Sequence, residues 1–206
     1  MQEIYTLSVL LSIFSFAFVM VITPGPNNIL LLSSGLNFGY KKSLPSIFGV
    51  MLGFPIMVII VGLGIGIIFK NYPYVYYIMK IIGIIYLFYI AYQIATSNDE
   101  IKSSSVKEKK PFTFIQIVIF QWLNPKAWVM AITSTTLYVT NNNHSIIQVF
   151  IIAFIFLLMG IISTNSWTLG GVFLQNILKI KLHIKIFNIF MAVLIIVSVL
   201  PILFSK

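Results

Sequence analysis

"VITPGPNNILLL", residues 21–32, sets two prolines, a glycine and two asparagines inside an apolar run. The run is fit to cross a membrane, yet these five residues are poorly suited to an unbroken helix. A proline in a helix interior removes a backbone donor and clashes with the carbonyl four residues back, at about 3 kcal/mol. Pro24 and Pro26, straddling Gly25, therefore predict that the first helix is interrupted here. In hydrocarbon the freed carbonyls have no water to turn to, so a break persists only where it is buried in protein or lines a wet cavity. Asn27 and Asn28 supply donors and acceptors at the break, and a helix restarting there aims its positive end at the gap.

The rest of the chain is as apolar as this stretch. Its 206 residues are 59% hydrophobic and only 8% charged, with a mean hydropathy of +1.03. That composition marks an integral membrane protein. Apolar stretches of the length needed for a ~30 Å hydrocarbon core occur at residues 4–22, 44–69 and 186–204, and with polar interruptions at 75–95, 112–137 and 146–173. Six spans use nearly the whole chain. The first is expected to be retained rather than cleaved as a signal peptide, because Glu3 and no lysine precede it and no small-x-small site follows. Cysteine is absent, which excludes disulfides and thiolate metal sites.

A net charge of +9 raises the question of nucleic acid, and the positions of the lysines answer it. Lys41 and Lys42 follow span one, Lys102, Lys107, Lys109 and Lys110 follow span three, and Lys179, Lys181 and Lys185 follow span five. The alternate loops hold only Lys70. By the positive-inside rule the first, third and fifth loops are cytoplasmic and both termini lie outside. Topology accounts for the charge, so no nucleic-acid partner is expected; the same lysines suit anionic lipid headgroups of the bilayer.

The one linker-like stretch, "TSNDEIKSSSVKEKKPFT" at 96–113, holds three of the four acidic residues and divides the chain near its midpoint. The sequence thus reads as one membrane domain, 1–206, with halves at about 1–95 and 113–206 joined by a cytoplasmic loop at 96–112. Three spans in each half require the halves to enter the membrane with opposite polarity, the pattern of an inverted repeat. "KIIGIIYLFYI" from Lys80 matches "KIFNIFMAVLI" from Lys185 at several offsets, and "WLNPKAW" at 122–128 puts a second proline–asparagine break in the fourth span. Asn124, preceding Pro125, is pushed out of helical geometry, and Lys126 brings an ammonium group beside it. Paired interrupted spans in corresponding positions of two halves point to the substrate site of a secondary transporter. Proline kinks repaired by neighbouring side chains or water are the alternative, and for Lys126 so is snorkelling to the interface.

"TPGPNN", followed by "SGLNFGYKKSLPSIFGVMLG", "KIIGIIYLFYIAY" and "LNPKAW", resembles the LysE/RhtB family of amino-acid exporters, most clearly over residues 4–137. The resemblance implies ion-gradient-driven export of amino acids or related metabolites across the cytoplasmic membrane, with no cofactor. Its motifs fall on Thr23, Pro24, Gly25, Pro26 and Asn27, and on Asn124, Pro125, Lys126 and Ala127. Gly49, Gly53, Gly83 and Tyr86 match family positions in the second and third spans. Gly49 and Gly53 form a small-xxx-small pair suited to helix packing, as Gly83 is taken to be, whereas Gly35 and Gly39 read as a helix end or turn.

Proton coupling usually involves a membrane carboxylate, but Asp and Glu occur only at Glu3, Asp99, Glu100 and Glu108, at the N-terminus or in the large loop. Lys126 is the first candidate for coupling, with Tyr86 and Lys80 behind it; burial disfavours a charged ammonium, which suits proton exchange. His144 and His183 sit apart with no metal-ligand spacing, so no metal is expected. Asn165, Ser166 and Trp167 place polar groups in the fifth span, lining a cavity or a helix interface.

The chain therefore predicts an all-α integral membrane protein of six transmembrane helices in two inverted three-helix repeats, helices one and four broken at their Pro motifs. It is expected to be a homodimeric, proton-coupled secondary exporter of a small amino acid, not an enzyme. The substrate site is assigned to Pro24, Gly25, Pro26, Asn27, Asn28, Asn124, Pro125 and Lys126. The alternative is the substrate-binding membrane subunit of an ATP-driven importer. A membrane enzyme is disfavoured by the lack of any membrane acid or paired histidines.

Overall fold

A computed structural model describes residues 4–65, 73–96, 110–140, 143–178 and 180–204. Among them are seven helices and no strand: α1 Leu7–Ile22, α2 Pro26–Ile60, α3 Pro73–Ala95, α4 Phe114–Leu123, α5 Pro125–Tyr138, α6 Ser145–Ile177 and α7 Lys181–Phe204. One π-helical turn, Val61–Ile65, extends α2. Two helices are long and apolar enough to cross a membrane alone, Pro26–Gly64 with that turn included and Ser145–Gln175 within α6.

Helix starts follow proline chemistry. Pro26 and Pro125 each occupy the first turn of a helix, where the N–H that proline lacks has no intrahelical partner in any case. Residues 26–43, too polar to be read as a span, are helical and continuous with the predicted second span. The join is a bend at Gly39, with φ 77° and ψ 169°, a region essentially reserved for glycine. A Cβ there would meet nothing within 4 Å, so backbone conformation rather than crowding calls for glycine at this position. Residues 66–69 of the second predicted span, and 97–109 of the linker, lie outside the described residues.

Two apolar cores fill the bundle. One gathers Leu30, Leu31, Leu87, Ile90, Ile117, Phe120 and Ile195 from α2, α3, α4 and α7. The other joins α1, the second section of α2, α5 and α6 through Ile13, Ala17, Met57, Val58, Ala131, Ile152 and Phe156. Phe156 meets Phe54 edge to face, ring centroids 5.0 Å apart. Lipid tails are as apolar as these side chains, so close packing and interhelical hydrogen bonds must hold the helices together.

Both devices are visible. The most extensive helix contact is between α2 and α6, and there a Cβ on Gly35 would run into the Thr168 carbonyl and one on Gly171 into that of Leu32. Gly35 is thus a mid-helix backbone contact, not the turn its sequence context suggested. A glycine's neighbour across the interface decides its role, and that neighbour is remote in sequence. Near the bend, Asn37 and Asn188 exchange a reciprocal pair of amide hydrogen bonds, each 3.0 Å, tying α2 to α7.

Candidate functional site

α1 ends in the interior, and its last carbonyls need donors. Thr23 and Gly25 are extended, so the main chain supplies only the Thr23 N–H, 3.2 Å from the Val19 carbonyl. Side chains supply the rest. Thr23 Oγ1 donates to Met20 (3.1 Å). Asn28 Nδ2 donates to Val21 (2.7 Å) and Thr23 (2.8 Å). From α6, Ser163 Oγ donates to Val21 (2.7 Å) and Trp167 Nε1 to Ile22 (3.2 Å). Lys126 Nζ completes the set from α5, reaching Thr23 O (2.9 Å), Thr23 Oγ1 (2.8 Å) and Pro24 O (3.4 Å). An ammonium at a helix C-terminus also complements the negative end of the helix dipole.

The break between α4 and α5 is one residue long and is satisfied locally. Asn124 leaves helical geometry at φ −87°, ψ 109°, and its Oδ1 accepts the Lys126 N–H at 3.1 Å, capping α5. Asn124 is 1% exposed, and among the described residues its Nδ2 has no hydrogen-bond partner. No side chain caps the start of α2. Gly25, Asn27, Asn28, Asn124, Lys126 and Ala127 line one partly open cleft against α6 of about 490 Å³, counting its open side. Donors dominate its polar wall: the Asn124 amide, the Lys126 ammonium and the uncapped start of α2. That wall suits a carboxylate.

Between the two breaks Asn27 and Gln121 form a reciprocal amide pair, Asn27 Nδ2 to Gln121 Oε1 at 2.8 Å and Gln121 Nε2 to Asn27 Oδ1 at 3.2 Å. Gln121 also donates to the Ile117 carbonyl (3.1 Å) and is fully buried. Sequence reasoning missed Gln121, Ser163 and Thr164. The available signal for Gln121 was a polar amide inside an apolar span, which is costly unless partnered.

The remaining predicted residues lie around this centre. Pro24 offers its carbonyl to Lys126, while Pro26 and Pro125 start their helices. Gly49 and Gly53 face Ile117 and Gln121 of α4, and Gly83 faces the Leu123 carbonyl. Tyr86 packs between Tyr89 and Phe120, at ring distances of 5.8 and 5.9 Å, away from the cleft. The side chain of Lys80 lies outside the described residues. Asn165 accepts from the Tyr40 hydroxyl at 2.5 Å, Ser166 bonds within its own helix, and Trp167 caps α1. His144 is the residue before α6, His183 is exposed, and the described residues contain no group of three metal-ligating side chains.

Comparison with known proteins gives this arrangement a family. The chain is 27% identical over 173 residues to a cysteine/O-acetylserine efflux protein of Shigella flexneri serotype 5b, covering 83% of this chain and 87% of that protein. It is 25% identical over 175 residues to the protein of the same description in Escherichia coli K12, covering 84% and 88%. No solved structure matches. The family model described as LysE type translocator matches residues 18–203, and the chain belongs to that family of membrane transporters.

Proposed function

We propose that the protein is a secondary active, proton-coupled exporter of a small amino acid or a related metabolite across the cytoplasmic membrane, and not an enzyme. The observation that carries this reading is the convergence of two helix breaks on one cleft, with Lys126 of the second bonded to Thr23 and Pro24 of the first. The names of the efflux relatives support it. So does the matched order of elements: α1 with α4, the first section of α2 with α5, its second section with α6, and α3 with α7. On this reading residues 1–206 form one domain of six spans. Halves at about 1–95 and 113–206 are related as an inverted repeat, the 96–112 loop is cytoplasmic, both termini are outside, and the chain pairs as a homodimer within the lipid bilayer.

The substrate carboxylate would take the donors that the cleft leaves open, the Asn124 amide and the start of α2. Lys126 already has three oxygen acceptors, so a carboxylate arriving in the cleft competes with Thr23 for the ammonium. That competition couples occupancy to the contact between α1 and α5. A proton leaving or joining Lys126 acts on the same contact, since a neutral amine holds fewer donors for Thr23 and Pro24. Amino-acid efflux from dipeptide-loaded cells tests this, comparing the parent, Lys126→Ala and an empty control over a panel including cysteine and O-acetylserine. Faster release of one or a few compounds, lost in the variant at unchanged protein level, is expected. Parental efflux in Lys126→Ala would remove the site assignment.

A further inference from the structure

A second cavity of about 560 Å³ lies between α2, α3 and α4, lined by Leu30, Ser33, Asn37, Gln93, Phe112 and Gln116 among others. It is more polar than the first cleft, and the functional reading above leaves it unused. Two chain segments run from it to the first cleft. Along α2, Asn37, Ser33 and Leu30 line the second cavity and Asn27, one turn further, lines the first. Along α4 and α5, Gln116 lines the second and Asn124 and Lys126 the first. On both segments the boundary falls at the Asn27–Gln121 pair; Gln121 is fully buried and also bonded to the Ile117 carbonyl.

The position of the pair has a counterpart. Asn27 and Lys126 each directly follow the proline that opens their helix, and each reaches across to the other break: Asn27 to Gln121 in the last turn of α4, Lys126 to Thr23 just beyond α1. The chemistry is not the same. The lysine is a donor only, whereas each amide gives its partner one N–H and takes one through its carbonyl.

We propose that the two cavities are successive substrate positions, and that the Asn27–Gln121 pair is the barrier between them, opened by a zwitterion. An amino acid matches the pair on both counts. Its ammonium donates to the Oδ1 and Oε1 that the amides release, and its carboxylate accepts from Nδ2 and Nε2. No buried amide is then left unpartnered, an outcome that would cost roughly 1–3 kcal/mol each. A lone inorganic cation satisfies the oxygens only and an anion the nitrogens only, so the same pair holds back ions. The proposal rests on the exporter reading for its direction and substrate class, but the barrier can be probed without transport.

The chain has no cysteine, so single cysteines report cleanly. Gly160→Cys marks the first cleft, where a Cβ meets nothing within 4 Å, and Gln93→Cys marks the second cavity. Each is labelled with a membrane-impermeant maleimide applied to one face or the other of oriented membranes, in the parent background and with Asn27→Ala and Gln121→Ala together. Labelling of each cysteine from one opposite face in the parent, and from both faces in the alanine pair, is expected. One-sided labelling that persists in the alanine pair overturns the barrier. The Asn27→Leu, Gln121→Leu pair replaces both amides by packed apolar groups and is expected to fold and to lower efflux to the empty-control rate; parental efflux would equally overturn the proposal. A parent that releases no amino acid defeats the exporter reading instead, and the labelling still decides the barrier.

Discussion

The two breaks solve one problem in opposite ways. After α1 the chain leaves helical geometry over three residues, and the exposed carbonyls are satisfied at a distance by Asn28, Lys126, Ser163 and Trp167 from three other helices. After α4 a single residue is out of register, and Asn124 caps the following helix with its own side chain. The first break therefore depends for its hydrogen bonds on how α1, α2, α5 and α6 are assembled, while the second caps itself from its own sequence and meets α3 through packing, at Gly83 against the Leu123 carbonyl. A change in the arrangement of α1, α5 and α6 would strip hydrogen bonds from the first and leave the cap of the second intact.

Substitutions can break or sharpen that contrast. The largest effect is expected where the second break meets a neighbour through backbone alone. Gly83→Leu drives a side chain into the Leu123 carbonyl, and no monodisperse protein should be recovered on size exclusion; a well-folded Gly83→Leu would show that α3 does not support this break. Next comes Asn28→Leu at the first break, which removes two hydrogen bonds, to carbonyls that Ser163 and Lys126 still serve, and should cost about 1–3 kcal/mol, read as a lowered melting temperature in detergent. Asn124→Ala should lose only about 1 kcal/mol of capping yet abolish efflux, separating the two roles of that side chain. Full efflux in this variant would take Asn124 out of the substrate site. Ser163→Ala is expected to be the mildest, within about 1 kcal/mol, because Asn28 still serves the Val21 carbonyl; a loss as large as that of Asn28→Leu would mean that the two donors are not interchangeable.

Much of this molecule was legible in the chain because its controlling terms are local. Composition carried the membrane class, the apolar stretches its helices, and the two proline motifs with the segments between them the family. Proline's missing donor acts on its immediate neighbours, so Pro26 and Pro125 can be placed at helix starts from sequence. The long-range partners at and beside the first break were harder to see. Asn27 lies 94 residues from Gln121, Ser163 lies 142 from Val21 and Trp167 lies 145 from Ile22. Nothing in the string around Gln121 or Ser163 names a partner. The span bounds 4–22 and 44–69 left out residues 26–43, although a helix was expected to restart at Asn27 and Asn28, for a related reason. Their asparagines, serines and lysines lower the local hydropathy, and several of these polar side chains, among them Asn28, Ser34 and Asn37, are satisfied by partners within the fold.

The glycine contact between α2 and α6 has the geometry of a fulcrum. The two backbones touch at Gly35 and Gly171 with no side chain between them, so a tilt of one helix on the other would pivot at this point. Asn27 sits at the end of a lever arm of eight residues from Gly35, about 12 Å at 1.5 Å per residue. A tilt of ~10° about the contact swings that end by roughly 2 Å, which stretches a hydrogen bond well past its useful range. A bundle whose helices barely rotate can thereby open a single polar contact at its centre, while beyond the contact the Asn37–Asn188 pair holds the other end of the arm to α7.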